Sequence, residues 1–371
     1  MIKKSGYKMI QKVCFLTVHS ADSLRKVDFH FWNEECLKKS IQTKFVTLGF
    51  SSVTFLKKRG KNYTPAFNCW EDHGACSHFK WKPLFHPFSL GNNILNIIST
   101  PLFGLYPRLA PQSLWDGLAE SDIFIVENGA GLLLIPEIKK RFPKSKIIYS
   151  VCDRIETLNY HPIILTAEKA ALPLIDAIRV PAEIMVQDYP DHPNVRYIPH
   201  GLEKELFERE HPNPYNKTKN IISVGDMLFD AKTIEIAAKL FPAYTFHLFG
   251  REAYLNRAFD NVISYGEKPF SDIAPYIQHA DIGMAPYRSA QNADYLSQSS
   301  MKMIQYTYCK LPILAPKFAA TGRAHVAGYS PEDAESIKSA IEYAISYDRN
   351  HIDRSSVLGW PECVDLMLGS V

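Results

Sequence analysis

The chain has 371 residues, of which 46% are hydrophobic and 22% are charged, and its formal net charge at pH 7 is +3. These values are typical of a soluble globular protein, and the length predicts two domains of about 150–200 residues rather than one core. The sequence has no apolar run of about 18 residues, and its first apolar stretch, Val13–Val18, is too short for a signal peptide. We therefore expect neither a membrane-spanning helix nor a secretory signal.

The charge is unevenly distributed along the chain. Residues 1–150 contain 21 Lys and Arg against 11 Asp and Glu, whereas the remaining residues contain 21 against 28. A basic first half predicts contact with an anionic partner, such as membrane phospholipid, a polyprenyl diphosphate or nucleic acid.

The seven cysteines are odd in number, scattered and mostly within apolar runs, which indicates reduced thiols in a cytosolic protein. Only one group of potential metal ligands is clustered, comprising Cys69, His73, Cys76 and His78. Its spacing matches no common zinc pattern, so the sequence does not favour a metal site there.

Short β-branched apolar runs alternate with amphipathic helical patterns along the first half of the chain. Helices are predicted over 27–39 and 131–141. The predicted strands are Val13–Val18, Lys44–Leu48, Asp122–Glu127, Lys146–Val151, Ala177–Val180 and Arg196–Ile198.

Two segments, 54–63 and 79–110, interrupt this alternation. The second has apolar and aromatic residues interleaved with Lys80, Lys82 and Arg108. This composition suits a helix or loop in a membrane interface, although an internally packed helical subdomain remains the alternative. Nucleic acid is not favoured as a partner, because no known binding motif accompanies the charge.

The second half repeats the strand and helix alternation after a polar, proline-containing seam at 205–218. The predicted strands are Asn220–Val224, Tyr244–Phe249, Val262–Tyr265, Ile282–Ala285 and Pro312–Ala315, and the helices are near Ala231–Leu240, Phe270–Gln278 and Met301–Tyr308. The pattern predicts an α/β fold with two Rossmann-like domains facing across a cleft. We expect domains at 1–205 and 206–350, with a C-terminal helix at 351–371 that could return to the first domain.

The segment 297–315 is the most informative stretch of the sequence. Ser299 or Ser300 can cap a helix whose first turn carries Met301 and Lys302. The free N–H groups of that turn and the lysine charge together favour a phosphate or diphosphate, and Gln305 lies one turn further on the same face. For this segment alone, a capped surface helix with a solvated lysine is the alternative.

Other polar residues follow predicted strands. Asp153 comes after the strand Lys146–Val151, where a carboxylate can act as general base, although an N-cap or salt bridge is the ordinary alternative. In the second half, residues in the same kind of position suggest contacts with a nucleotide's ribose and base: Met227, Glu267 and Tyr287. Asp230 is most simply a helix cap.

Two motifs of other sugar-nucleotide enzymes are absent from the sequence. There is no Asp-x-Asp pair, which commonly holds a divalent metal, and no Glu-x7-Glu pair before Lys310-Leu311-Pro312, where many retaining two-domain glycosyltransferases have one. Both absences favour a metal-independent, inverting transfer with no cofactor, in which Lys302 meets the leaving-group charge.

Several segments of this sequence together resemble the GumK-type glucuronosyltransferases, which are GT-B enzymes of xanthan-type exopolysaccharide synthesis. In the second half the resemblance depends on 225–230, 265–267, 285–287, 299–302 and 305–306. In the first half it depends on Ser121-Asp122-Ile123 with Glu127, Asp153, His200-Gly201 and His86-Pro87-Phe88. One difference is Glu203, which stands where the family has an aspartate.

The resemblance implies a role for each matching residue. Asp153 would be the catalytic base, Glu203 would lie on the acceptor side, and Asp230 would be a supporting acidic residue. The UDP-sugar site would be formed by Met227, Glu267, Tyr287, Met301, Lys302 and Gln305.

The function implied is transfer of glucuronic acid from UDP-glucuronate to a polyprenyl-diphosphate-linked oligosaccharide, by a peripheral protein on the cytoplasmic face of the inner membrane. The basic, aromatic first domain would contact the anionic membrane surface. A different UDP-hexose donor, a nucleotide-sugar epimerase and a non-catalytic sugar-nucleotide sensor are the alternatives.

Overall fold

The computed structural model describes residues 10–23, 26–52 and 66–371, so the basic segment predicted at 54–63 lies outside the described residues. The described chain forms two compact units. The first comprises residues up to Pro181 together with Val186–Ile198 and Val364–Val371. The second comprises Ala182–Met185 and Pro199–Cys363.

The first unit is built on an eight-stranded sheet in the order β3-β4-β2-β1-β5-β6-β7-β8. All neighbouring strands are parallel except β3 and β4, which form an antiparallel edge. The strands are β1 (Lys12–Thr17), β2 (Gln42–Thr47), β3 (Trp70–His73), β4 (Cys76–Lys80), β5 (Ile123–Glu127), β6 (Lys146–Ser150), β7 (Ala177–Val180) and β8 (Val195–Tyr197).

The central strands of this sheet are buried on both faces, because helices cover the sheet as its parallel strand order requires. In β5 every residue from Ile123 to Glu127 is buried. The helices of this unit are α1 (Asp28–Lys38), α2 (Asn93–Phe103), α3 (Gln112–Leu118), α4 (Ile135–Arg141) and α5 (Ile163–Ala171).

The second unit contains a six-stranded sheet, parallel throughout, in the order β11-β10-β9-β12-β13-β14. Its strands are β9 (Asn220–Val224), β10 (Thr245–Phe249), β11 (Val262–Gly266), β12 (Ile282–Met284), β13 (Ile313–Pro316) and β14 (Val326–Tyr329). Its helices are α6 (Lys204–Glu208), α7 (Ala231–Leu240), α8 (Phe270–His279), α9 (Leu296–Ser299), α10 (Met301–Tyr308) and α11 (Ala334–Ser346).

The last helix, α12 (Trp360–Leu368), begins among residues of the second unit and ends among residues of the first. Beyond Cys363 the chain is held within the first unit by polar contacts. Lys39 pairs with Asp365 at 2.8 Å, and the Asn194 side chain donates to the carbonyl oxygen of Ser370 at 2.8 Å.

Each sheet has a switch point, where the order of successive strands reverses. In the first sheet it lies between β1 and β5, and in the second between β9 and β12. In open parallel sheets the carboxyl ends of the strands beside a switch point are where ligands bind. The loops that follow these four strands are therefore the places where functional side chains are expected.

The predicted α/β class and two Rossmann-like folds are confirmed, and each strand predicted from the sequence is present to within two residues at either end. Sequence patterns missed β3, β4 and β14. These are short strands at or beside sheet edges, and β3 is half-buried or exposed, so no apolar run marks it. Among the described residues, no helix combines the length and the apolar character needed to cross a membrane.

Candidate donor site and catalytic edge

The second sheet brings two glycine loops close together at its switch point. Gly225 follows β9 with φ of +80°, and Gly250 follows β10 with φ of +146°. A Cβ on Gly250 would lie 3.2 Å from the Gly225 carbonyl carbon and 3.3 Å from the Asp226 Cβ. A side chain at position 250 would crowd these atoms, and the φ of Gly250 lies in the region that favours glycine.

Lys302 lies beside this loop and is buried. Its Nζ is 3.5 Å from the Gly225 carbonyl oxygen and 4.9 Å from the centre of the Tyr287 ring. Burial lowers the pKa of Lys302 to about 8, and the nearby Asp226 carboxylate opposes this shift. Within the described part of the chain, no carboxylate forms an ion pair with this ammonium group, so its charge is available to an anion.

The start of α10 adds partial positive charge to the same place. Ser300 occupies the N-cap position, as the sequence predicts, but its side chain does not cap the helix. Its Oγ instead hydrogen-bonds the Tyr287 hydroxyl at 2.5 Å. The first N–H groups of a helix lack intrahelical acceptors, so the first turn of α10 can receive an anion next to Lys302.

The remaining predicted donor-site residues differ in exposure. Gln305 is buried on α10, and Met301 is half-buried at its first position. Met227, in the loop after β9, is 47% exposed. Glu267 follows β11 and pairs with Arg251, whose Nη2 is 2.6 Å from the Glu267 Oε2. A ribose hydroxyl approaching Glu267 would compete with this exposed pair.

Asp230 is the N-cap of α7, the structural role that its position suggests. Its carboxylate accepts hydrogen bonds from the backbone N–H groups of Lys232 and Thr233, at 3.1 and 3.3 Å, and from the Thr233 hydroxyl at 2.6 Å. The side chain is therefore committed to the helix terminus. Glu203 also precedes a helix, α6, but it is exposed and makes no capping hydrogen bond.

In the first unit, Asp153 follows β6 and is half-buried. The side chain of Asn128, which follows β5, holds this turn. It accepts from the Cys152 N–H at 3.0 Å and donates to the Asp153 carbonyl oxygen at 3.1 Å. The turn that carries the predicted base is thereby attached to the end of the neighbouring strand.

Potential metal ligands do not cluster in the part of the chain that the structure describes. In residues 10–23, 26–52 and 66–371, no three His, Cys, Asp or Glu side chains form a group that could hold a metal ion. Cys69, His73, Cys76 and His78 lie on or beside the β3–β4 edge without forming such a group. Metal independence of the reaction stays a prediction.

The first part of the chain matches a family model. The model described as glucuronosyltransferase GumK, N-terminal domain, matches residues 15–181. A Xanthomonas campestris pv. campestris protein, UDP-glucuronate:glycolipid 2-beta-glucuronosyltransferase, is 29% identical over 365 residues, covering 97% of this chain and 90% of that protein. The resemblance to the GumK-type family is confirmed.

Two solved glycosyltransferases of the GT-B class share the fold of this chain. A UDP-forming α,α-trehalose-phosphate synthase from Burkholderia xenovorans has a TM-score of 0.61 at 11% identity, covering 96% of this chain and 99% of that one. The calicheamicin glycosyltransferase CalG4 has a TM-score of 0.52 at 11% identity, covering 98% of each chain. At this identity the likeness establishes the GT-B fold alone.

The capping geometry of Asp230 predicts a stability effect. Asp230→Ala should lower the free energy of unfolding by about 1–2 kcal/mol, because three hydrogen bonds at the start of α7 are lost. Asp230→Asn keeps an acceptor oxygen and should retain most of that stability. Urea unfolding of both variants measures the difference, and equal losses in the two would contradict the capping role.

Proposed function

We propose that this protein transfers glucuronic acid from UDP-glucuronate to a polyprenyl-diphosphate-linked oligosaccharide at a membrane surface. The observation that carries the proposal is the buried, positively charged Lys302 at the first turn of α10, beside Gly225. The whole-chain similarity to a protein named as a glycolipid glucuronosyltransferase supports the same assignment.

In the second unit, the proposed donor site is the loop after β9 together with the start of α10. Lys302 and the helix N–H groups neutralise the diphosphate, and they continue to do so as UDP leaves with its additional negative charge. Met227 and Tyr287 are the proposed neighbours of the base, and Glu267 is the proposed partner of the ribose hydroxyls. Met301 and Gln305 complete the proposed site on α10.

In the first unit, Asp153 is the proposed general base. Its carboxylate takes the proton from the attacking acceptor hydroxyl, whose oxygen forms a bond to the anomeric carbon of the sugar. The bond between that carbon and the UDP oxygen breaks, and UDP departs with the electron pair. A single displacement inverts the anomeric centre and needs no metal ion if Lys302 supplies the positive charge.

The surface of α2 supports a lipid-linked acceptor. This helix packs on its unit through Phe103 and through polar groups, since the His161 Nε2 lies 3.0 Å from the Ser99 Oγ and 2.9 Å from the Asn96 carbonyl oxygen. Its outward side is apolar, with Ile97 and Ile98 71% and 69% exposed. A helix whose apolar side faces solvent suits the boundary between lipid headgroups and acyl chains.

The transfer reaction is tested with purified protein, a membrane extract that contains lipid-linked oligosaccharides, and labelled UDP-sugars offered one at a time. We expect label from UDP-glucuronate in the lipid fraction. Asp153→Asn should reduce this transfer by at least a hundredfold while UDP affinity stays within twofold of wild type. Labelling by UDP-glucose alone would refute the glucuronate assignment, and substantial transfer by the Asp153 variant would refute its role as base.

The lowered pKa of Lys302 predicts how UDP binding depends on pH. Below its pKa of about 8 the lysine is charged and attracts the diphosphate, whereas above it the charge is lost. Between pH 7 and pH 9 the UDP affinity should therefore fall about tenfold, as the protonated fraction does. Isothermal titration calorimetry measures this, with Lys302→Arg as the control that stays charged. The same fall in the arginine variant would exclude Lys302 as its source.

The exposed side of α2 predicts membrane binding. The double substitution Ile97→Glu and Ile98→Glu should lower the fraction bound to phosphatidylglycerol vesicles at least tenfold, because buried apolar area is replaced by charge. Flotation of the vesicles measures the bound fraction. Ile263→Glu is the matched control, since Ile263 is also exposed but lies on β11 of the second unit. Equal loss in the control, or none in the double variant, would contradict the role of α2.

A further inference from the structure

Glu127 is a buried carboxylate at the switch point of the first sheet. It is the last residue of β5, and only 7% of its surface is exposed. Its Oε2 accepts hydrogen bonds from the Thr17 hydroxyl at 2.5 Å and from the Val18 N–H at 3.0 Å. Glu127 thus binds the end of the neighbouring strand, β1, through Oε2 alone, and its second oxygen is Oε1.

That second oxygen, Oε1, faces His19. The His19 Nε2 lies 3.4 Å from it, and the Cys152 thiol lies 3.9 Å from it on another side. Burial and the Glu127 charge raise the pKa of Cys152, so the thiol is neutral and can act only as a weak donor. The imidazole is the stronger partner of the two.

Among the described residues, the His19 ring has a polar contact at Nε2 only, so Nδ1 is left for a ligand. Its backbone N–H donates to the Thr17 hydroxyl at 3.1 Å, which fixes the turn after β1, while the side chain is 38% exposed. In the neutral imidazole, a carboxylate facing Nε2 favours the tautomer with a hydrogen on that nitrogen, which leaves the lone pair on Nδ1. Nδ1 is then an acceptor for a hydroxyl group.

The turn that carries the predicted base, Asp153, lies at the same end of β5. Glu127 fixes the turn that carries His19, and its neighbour Asn128 fixes the turn that carries Asp153. Both turns follow strands that flank β5, so they lie at one edge of the sheet. Tyr160 also lies there, and its hydroxyl hydrogen-bonds the Asn128 carbonyl oxygen at 3.3 Å.

We propose that His19 is a further catalytic residue, whose Nδ1 accepts a hydrogen bond from a hydroxyl of the acceptor sugar and orients that sugar for Asp153. Glu127 is the positioning residue that holds the imidazole. The inference depends on the proposed function, because it names a contact to the acceptor of that reaction.

The variant Glu127→Gln distinguishes two roles of Glu127, one that only joins β1 to β5 and one that acts through His19. Glu127→Gln keeps an oxygen for Thr17 and Val18 but places an amide N–H group opposite the His19 Nε2. That change favours the opposite tautomer, in which Nδ1 carries the hydrogen and cannot accept from a hydroxyl. The strands would remain joined while the acceptor contact is lost.

The test compares three substitutions of His19 in the transfer assay, with the relative acceptor KM obtained from a dilution series of the lipid extract. Asparagine places its oxygen near the position of Nδ1, whereas glutamine places its amide near the position of Nε2. We expect His19→Ala and His19→Gln to raise the acceptor KM about tenfold, and His19→Asn to stay within threefold of wild type. The UDP affinity should be unchanged in all three.

Glu127→Gln should raise the acceptor KM as His19→Ala does, with an unfolding midpoint close to that of wild type. An acceptor KM within twofold of wild type in His19→Ala, or equal losses in the Asn and Gln variants, overturns the proposal. Loss of UDP affinity in His19→Ala also overturns it, since the contact would then be to the donor. If wild-type protein transfers no sugar, the proposed function itself fails, before any variant is compared.

Discussion

Parallel pairing of the strands is the constraint on which both candidate sites depend. Each parallel strand must be followed by a crossover, so the carboxyl ends of neighbouring strands lie at one edge of the sheet. In the first unit this brings together the turns after β1, β5 and β6, and in the second it brings together the loops after β9, β10 and β12. Residues more than a hundred positions apart, such as Thr17 and Glu127, thereby come into hydrogen-bond contact.

Buried charge is handled differently at the two edges. Glu127 is surrounded by donors within its own unit, so its charge is compensated and the group serves to hold a turn. Lys302 lies beside a carbonyl oxygen and an aromatic ring. Among the described residues, no carboxylate forms an ion pair with it. Burying an ammonium group without an ion pair is costly, which is why the pKa of Lys302 falls to about 8 although the Asp226 carboxylate opposes the shift. An arriving diphosphate would relieve that cost.

The apolar side of the amphipathic helix α2 faces away from its own unit. Its sequence contains enough apolar residues for a core helix, yet Asn96, Ser99 and Phe103 face its own unit and the isoleucines do not. The Asn96 side chain accepts from the Leu90 N–H, and the Ser99 hydroxyl lies against His161, while the apolar side has no cover in the described chain. The membrane contact proposed above depends on this exposed apolar side.

The order of residues alone was enough to predict the α/β class, the positions of most strands and of about half the helices, and the capping residue Asp230, because alternation of apolar runs and local hydrogen bonding are properties of short segments. It also indicated Lys302, since a lysine in the first turn of a helix is visible in the order of residues.

The burial of Lys302 beside Gly225 and Tyr287, and the pairing of Glu267 with Arg251, became visible in the folded chain alone. The contacts of Glu127 with His19 and of Gly250 with Asp226 likewise belong to the folded chain. These contacts join residues from different strands and loops, and their distances depend on strand order and burial, which no local pattern in the chain specifies.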